Sequence, residues 1–446
     1  MSAAGRPARL SGWGRYPVAE CRLAHAARPA DALTLSAGAD SLIARGCGRS
    51  YGDSSLNADL TVATGAMDRL IAFDGENGLL TCEAGLCLAD LIDILLSRGW
   101  LSPVTPGTRF VTVGGMIAAD VHGKNHHGAG SFCDHLDWLD LALPDGRVER
   151  CSATCNADLF AATCGGMGLT GIILRAAFRM KRVASSRIRQ RTIRARNLDA
   201  AIDAFEASLA WTYSVAWVDC LASGSALGRS VIFLGEHAEP DDLPADTRSD
   251  PFRRPRRKLR KVPLDAPSFA LGPLSVRLFN GVYYRAQRPG DGLVDLEPYF
   301  YPLDAIGDWN RIYGRRGFVQ YQCVLPMETS RSGMARLLEA ISAAGAGSFL
   351  AVLKRMGSQS FGLLSFPMPG YTLALDFPVS KANFSLLERL DAIVAECGGR
   401  LYLAKDARAA APAFDAGYPR LAEFRDVRRR WDLGRFSSLQ SKRLGL

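Results

Sequence analysis

Two stretches of the chain combine glycine with cations in a pattern suited to an anionic ligand. Residues 44–55 read ARGCGRSYGDSS, and residues 106–132 read PGTRFVTVGGMIAADVHGKNHHGAGSF. Glycines let backbone N–H groups approach a phosphate closely, and successive N–H groups form an anion-binding nest. Arg45 and Arg49 offer cationic donors in the first stretch. In the second, Gly114 and Gly115 open a run of small residues that reads as a helix, whose first turn would present further N–H groups. Gly46-x-Gly48 could open a dinucleotide fingerprint, but the third glycine falls at Gly52 and the following LNADLTVATG reads as a strand. A Rossmann crevice needs strand, turn and then helix, which excludes that geometry. Two cradling segments, well separated and each beside a strand, suit one long ligand with a diphosphate in its middle. FAD has that shape.

These loops need a scaffold. Residues 38–85 alternate short apolar runs with Gly, Asp and Asn turns (SLIARG, LTVATG, LIAFDG, LLTCEAG), the texture of strands in an α+β layer. LADLIDILLSRG, residues 88–99, spaces its apolar residues by three and four and ends in glycine, which predicts an amphipathic helix. Residues 136–150 read as a hairpin turned at Asp145-Gly146, and 164–180 as a glycine-rich turn entering an apolar strand. Near residue 184 the texture changes, and a second domain is predicted to begin. Helices are predicted for LDAAIDAFEASLA, for 331–344 and 383–397, and for the tail LAEFRDVRRRWDLGRF.

The chain has 446 residues, 48% of them hydrophobic, enough for two cores. Its formal net charge of +9 favours anionic partners. The 11 cysteines include no CxxC pair, so neither a zinc ribbon nor a disulfide framework is expected. His126 and His127 lack the helical HExxH logic and a carboxylate partner, and no metal is expected there. No apolar run reaches the length of a signal peptide or a membrane span, which predicts a cytoplasmic protein able to lie on a membrane. An acidic, Pro-rich stretch leads into RRPRRKLRK, residues 253–261, where seven of nine residues are basic. Residues 240–265 read as a flexible basic loop. The basic run suits either a solvated loop or a peripheral membrane contact, and it lacks the interleaved aromatics that nucleic-acid binding uses.

RGCGRSYGD, PGTRFVTVGGMIAADVHGKNHH and GGMGLTGIIL resemble the FAD domain of the vanillyl-alcohol-oxidase type. SGWGR near the start, FVQYQCVLP at 318–326, SFLAVLKRMG at 348–357, PMPGYTLALDFP at 367–378 and GGRLYLAKDAR at 398–408 narrow the resemblance. They resemble the decaprenylphosphoryl-β-D-ribose 2′-oxidase branch of that family. The resemblance covers nearly the whole chain and is weakest over about 185–300. It implies an α+β fold of two domains. An FAD-binding domain of two small α/β subdomains would span 1–183. A substrate domain with an antiparallel sheet flanked by helices would span 184–399, and residues 400–446 would return to the first. The implied activity is FAD-dependent oxidation of the 2′-hydroxyl of a polyprenyl-phosphoryl-β-D-ribose to a keto sugar. A separate NAD(P)H-dependent reductase would complete epimerisation to an arabinose donor.

The same resemblance assigns roles. Ala44, Arg45, Gly46, Cys47, Gly48, Arg49, Ser50, Tyr51, Gly52, Asp53 and Ser54 would wrap the FAD diphosphate and ribityl chain. Gly107, Thr112, Val113, Gly114 and Gly115 would line the same ligand, as would His122, Gly123, Lys124 and Asn125. The backbone at Ile173 and the ring of Tyr402 would complete the pocket. Many relatives link flavin covalently to a histidine just before the serine of the first motif. Arg49 stands there, so FAD is expected to be noncovalent. Lys405 matches the family's essential lysine, and its head suits a developing alkoxide. His122 and Tyr51 complete the catalytic set. Lys124, Trp217, Phe300, Gln320, Gln322, Lys354, Ala374 and Lys405 would meet the substrate, with Lys354 on its phosphate. Side chains two apart on a strand share a face, which brings Gln320 and Gln322 together.

Three departures alter the pocket. A family cysteine is Ala374, a family tyrosine is Phe300, and a family asparagine is Thr372. Another polyprenyl-phosphate pentose therefore fits the same reading. Two rival readings stand beside it: a sugar-lactone or alditol oxidase of the same fold that passes electrons to oxygen, and a non-enzymatic basic protein on membrane or nucleic acid.

Overall fold

The computed structural model describes residues 5–255, 260–267 and 272–446. Most of its strands fall in three sheets. Arg6–Ser11, Val18–His25, Thr61–Ala63 and Ile43–Arg45 form a four-stranded sheet in that spatial order. Leu70–Asp74, Leu79–Glu83, Ile172–Arg179, Leu136–Ala142 and Val148–Ser152 form a five-stranded antiparallel sheet. The last two strands are the hairpin expected at Asp145-Gly146. Helix Leu88–Leu95 buries Leu88, Leu91, Ile92 and Leu95 in the core beneath this sheet, and Gly99 ends the short 3-10 turn that follows.

The third sheet has eight antiparallel strands. Their order is Gly290–Asp295, Arg187–Ala195, Ser230–His237, Tyr213–Val218, Ala351–Met356, Gly370–Pro378, Phe318–Pro326 and Arg400–Leu401. Alternation divides its two faces. Val319, Tyr321, Cys323, Leu325, Leu373, Leu375 and Phe377 pack in one core with residues of helices Leu198–Glu206, Met327–Ala343 and Lys381–Glu396. The intervening Gln320, Gln322, Thr372, Ala374 and Asp376 take the opposite face. Register sets Gln320 beside Asp376, Gln322 beside Ala374, and Lys354 beside Thr372.

After Arg400–Leu401 the chain leaves this sheet and packs on residues of the first half. Arg430 pairs with Asp158 at 2.7 Å, and Arg443 with Asp53 at 2.7 Å. The tail helix is shorter than its sequence suggests, spanning Leu421–Arg430. The Leu433 N–H bonds back to Arg428 O, and Phe436 bridges to Leu42, which turns the remainder into a loop. Residues 240–255 are also more ordered than the flexible loop expected of them. They hold a short helix Ala245–Arg248, and Pro251 O accepts from the Ser186 N–H. Residues 256–259 of the basic run lie outside the described residues. Arg254 in that run is committed to Asp93 at 2.6 Å. Among the described residues, no helix is long and apolar enough to cross a membrane.

Candidate active site

A cavity of about 570 Å³ lies between the loops of the first half and the polar face of the eight-stranded sheet. Its first wall grows from the end of strand Ile43–Arg45. There the chain must pass close to Thr112, and a methyl group at Gly46 would collide with the Thr112 side chain. Gly48 then adopts φ +62°, a conformation that glycine takes without steric cost. Among the described residues, the N–H groups of 46–50 have no acceptor, nor do those of Gly107 and Lys124. All of these residues line the cavity. The wall therefore offers unclaimed donors, which is what a diphosphate requires. The Arg49 guanidinium stacks on Trp13, 3.9 Å from the ring centre.

Ala44, Cys47, Ser50, Tyr51, Ser54, Thr112, Gly114, Gly115, His122, Gly123, Ile173 and Tyr402 also line the cavity. Five residues expected on the cofactor do not. Arg45 turns away to donate to Ser11 O at 2.7 Å and to Ser55 Oγ at 3.1 Å. Gly52 is packed against the backbone of Asp406 and Ala407. Asp53 pairs with Arg443. Val113 is fully buried in the hydrophobic core. Asn125 donates to Pro103 O at 2.8 Å. The second correction concerns helix Val113–Ala118. Its first N–H groups are already taken: Val113 by Leu86 O, Gly114 by Ala84 O, and Gly115 by the Thr112 hydroxyl at 3.2 Å. This segment contributes a surface of small residues, not the expected donors.

The second wall is built of side chains. Gln190, Trp217, Gln320, Gln322, Lys354 and Ala374 project from five strands, and Lys405 follows the last strand. Phe300 and Tyr299 close one side, and Lys124 reaches across to donate to the Tyr299 carbonyl. Trp217 is fixed by its indole N–H to Phe349 O at 3.0 Å. Three ammonium groups share this space. Burial brings Lys405 down to about 7, helped by Lys354 and opposed by Asp376. Burial likewise brings Lys124 to about 7 and Lys354 to about 8. Ammonium groups held this far below their ordinary value leave a site short of negative charge, which an anionic guest would supply.

Asp376, on the same strand as Thr372 and Ala374, is a residue that sequence reading did not name. Its carboxyl is fully buried and is pushed up to about 7 by that burial. It accepts from the Gln320 amide at 2.6 Å and from the Tyr313 hydroxyl at 3.2 Å. Its alternation with Thr372 and Ala374 was the available signal. Lys405 Nζ sits 4.0 Å above the Tyr51 ring. His122 Nε2 lies 3.0 Å from the Gln322 amide nitrogen, which makes that ring nitrogen the acceptor. Burial, then the charges of Lys354, His126 and Lys405, holds this imidazole well below its usual range. Its Nδ1 is buried without a partner among the described residues. His126 and His127 are occupied otherwise: His126 accepts from the Gly357 N–H at 2.9 Å, and His127 meets Trp211 O at 2.8 Å.

Comparison with known proteins supplies the family. A family described as "FAD binding domain" matches residues 24–152. Decaprenylphosphoryl-beta-D-ribose oxidase of Mycolicibacterium smegmatis is 38% identical over 98% of this chain and 97% of its own length. The chain belongs to the decaprenylphosphoryl-β-D-ribose oxidase family. Other similarity is more local: L-gulonolactone oxidase of Mus musculus is 34% identical over 29% of each chain. The solved structure of a variant of Physcomitrella patens BBE-like 1 covers 93% of this chain and 89% of its own, with a TM-score of 0.66 and 15% identity, a likeness of fold. Within this oxidase family the chain is an FAD-dependent oxidoreductase, and its α+β architecture matches the expectation. The matched FAD domain includes the unclaimed donors of 46–50 and the glycines of the second loop, so the residues present fit the cofactor. The match also removes the reading as a non-enzymatic basic protein.

Proposed function

We propose that this oxidase acts on the 2′-hydroxyl of a polyprenyl-phosphoryl-β-D-ribofuranose and yields the 2′-keto sugar. Bound FAD supplies the two-electron acceptor; the chain's residues do the rest. Lys405 accepts the hydroxyl proton at Nζ, which is neutral above about pH 7. The aromatic ring of Tyr51 beneath it keeps the amine dry and fixes its direction. His122, neutral and bonded to Gln322, orients the sugar from the opposite side. Gln320, steadied by Asp376, and Gln322 present amides to the sugar hydroxyls. Lys354 and Lys124 hold the phosphate. Trp217, Phe300 and Ala374 give the sugar an apolar surround.

The observation that carries this reading is the trio of half-buried lysines that a glycine cradle and the sheet bring into one cavity. Thr372, Ala374 and Phe300 change the pocket's edge and leave these cations in place. Arg49 cannot form a flavin linkage, so the FAD is held noncovalently; acid precipitation should leave it in the supernatant. The keto product requires a separate NAD(P)H-dependent reductase to complete epimerisation. Anaerobic mixing with polyprenyl-phosphoryl ribose should bleach the flavin, and simple sugars, lactones and alditols should not. Bleaching by a lactone together with oxygen consumption would favour the lactone-oxidase reading instead.

A further inference from the structure

The eight-stranded sheet is flanked at the cavity mouth by helix Pro273–Ala286, whose two sides differ in a way its packing does not need. Inward, Val276 and Asn280 are buried, and the Asn280 amide donates to Asp219 at 2.8 Å. Tyr283 packs against Trp217 with ring centres 4.7 Å apart, and Tyr283 and Gln287 both line the cavity. Outward, Leu274, Leu278 and Val282 are 81%, 69% and 57% exposed. With Leu264 at 74%, they are the four most exposed large apolar side chains among the described residues. Spacing of four residues places the three on one stripe of the helix.

The charges beside this stripe have one sign. PLSVRLFNGVYYRAQR, residues 273–288, contains Arg277, Arg285 and Arg288 and no acidic residue. All three arginines are exposed, and none has an ion pair among the described residues. Arg260 and Lys261, in the segment that carries Leu264, are exposed as well, and the acidic Asp265 beside Leu264 is already paired with Arg15 and Arg311. An exposed apolar stripe flanked only by cations is the composition of a helix that lies in the plane of an anionic bilayer. A protein partner of ordinary surface would leave these cations without acidic complements.

We propose that the outward face of helix Pro273–Ala286 docks on an anionic lipid bilayer. Leu274, Leu278 and Val282 enter the acyl boundary while Arg277, Arg285 and Arg288 meet lipid phosphates. The same helix then sets the cavity mouth, through Tyr283 and Gln287, at the membrane surface. A lipid-linked sugar could reach the site with its chain still in the bilayer. That purpose rests on the substrate reading above, whereas the docking itself does not.

The holoenzyme should co-sediment with vesicles of phosphatidylcholine and phosphatidylglycerol, and far less with phosphatidylcholine alone. The double variant Leu274→Glu, Leu278→Glu should partition at least about tenfold more weakly. Its flavin absorbance and far-UV dichroism should match the parent, because both side chains face outward. A Leu278→Trp variant should be quenched by lipids brominated on their acyl chains. Turnover of a short-chain, water-soluble substrate should be unchanged in the double variant, and turnover of a vesicle-embedded one should fall. Parent and double variant sedimenting alike, or a parent that ignores anionic vesicles, would overturn the proposal. So would a parent dimer that the double variant converts to monomer with vesicle binding intact, since the stripe would then join two copies. Vesicle binding without turnover of either substrate would instead sink the substrate reading alone.

Discussion

The two walls of the cavity are made by different means. The wall at residues 46–50 presents backbone N–H groups from a few consecutive residues. The wall across from it presents side chains carried by strands scattered from Arg187 to Leu401. The first depends on what the chain lacks, since a Cβ at Gly46 has no room. The second depends on what it carries, since Lys354 and Lys405 stand there and Lys124 reaches across to join them, all three held below their ordinary value by burial. On the function proposed above, a cofactor common to many reactions would be held by backbone, and one substrate would be told from another by exchangeable side chains.

Substitutions should separate the two walls. Lys405→Met should slow anaerobic flavin reduction by roughly 10²- to 10⁴-fold while the protein remains yellow; reduction at the parent rate would remove Lys405 from proton transfer. Lys354→Met should raise KM on the order of tenfold to a hundredfold with kcat less affected, as expected for a lost charge-assisted phosphate contact. Gly46→Val should act on the other wall, weakening FAD retention by about tenfold or more, read from absorbance after dialysis. If Gly46→Val instead kept its flavin and lost only turnover, the division between the walls would fail.

The pH profile sharpens the same contrast. Because protonated Lys405 cannot accept a proton, kcat/KM should rise as pH climbs through about 7. Asp376 favours the ammonium form, so Asp376→Asn should move that limb to lower pH, by about one unit. A limb that stayed in place would mean that Asp376 does not govern the lysine. The smallest effect belongs to the helix cap: Thr112→Val should cost about 1 kcal/mol of stability, seen as a modest fall in Tm.

The first wall was legible because its chemistry is local. Glycines beside arginine and histidine, read in order, point to an anion cradle before any fold is known. Even there, the donors of Gly114 and Gly115 were misjudged, because Ala84 and the Thr112 side chain claim them. Arg45 was misjudged for a related reason: a guanidinium near a glycine loop can turn inward to a carbonyl, here that of Ser11. On the second wall, period-two alternation foretold the shared face of Gln320 and Gln322. It could not show that Asp376 on the neighbouring strand lies opposite Gln320, because strand register is set by long-range pairing. The hairpin at Asp145-Gly146 needed only its own turn residues and was read correctly. The end of the tail helix at Arg430 depends on a bridge between Phe436 and Leu42, and no local pattern announces it.

Residues 402–406 join the two walls. The Tyr402 hydroxyl donates to Ala119 O at 3.0 Å, and the Tyr51 N–H donates to Ala404 O at 2.9 Å. Lys405 follows directly on these anchors, its N–H donating to Tyr402 O at 2.9 Å, at the point where the chain leaves the sheet for the cradle. The gap between Lys405 and the glycine loop is therefore gauged by a single turn of chain. Mutations on the distant strands can accumulate and retune which sugar is admitted, and that gap would keep its width.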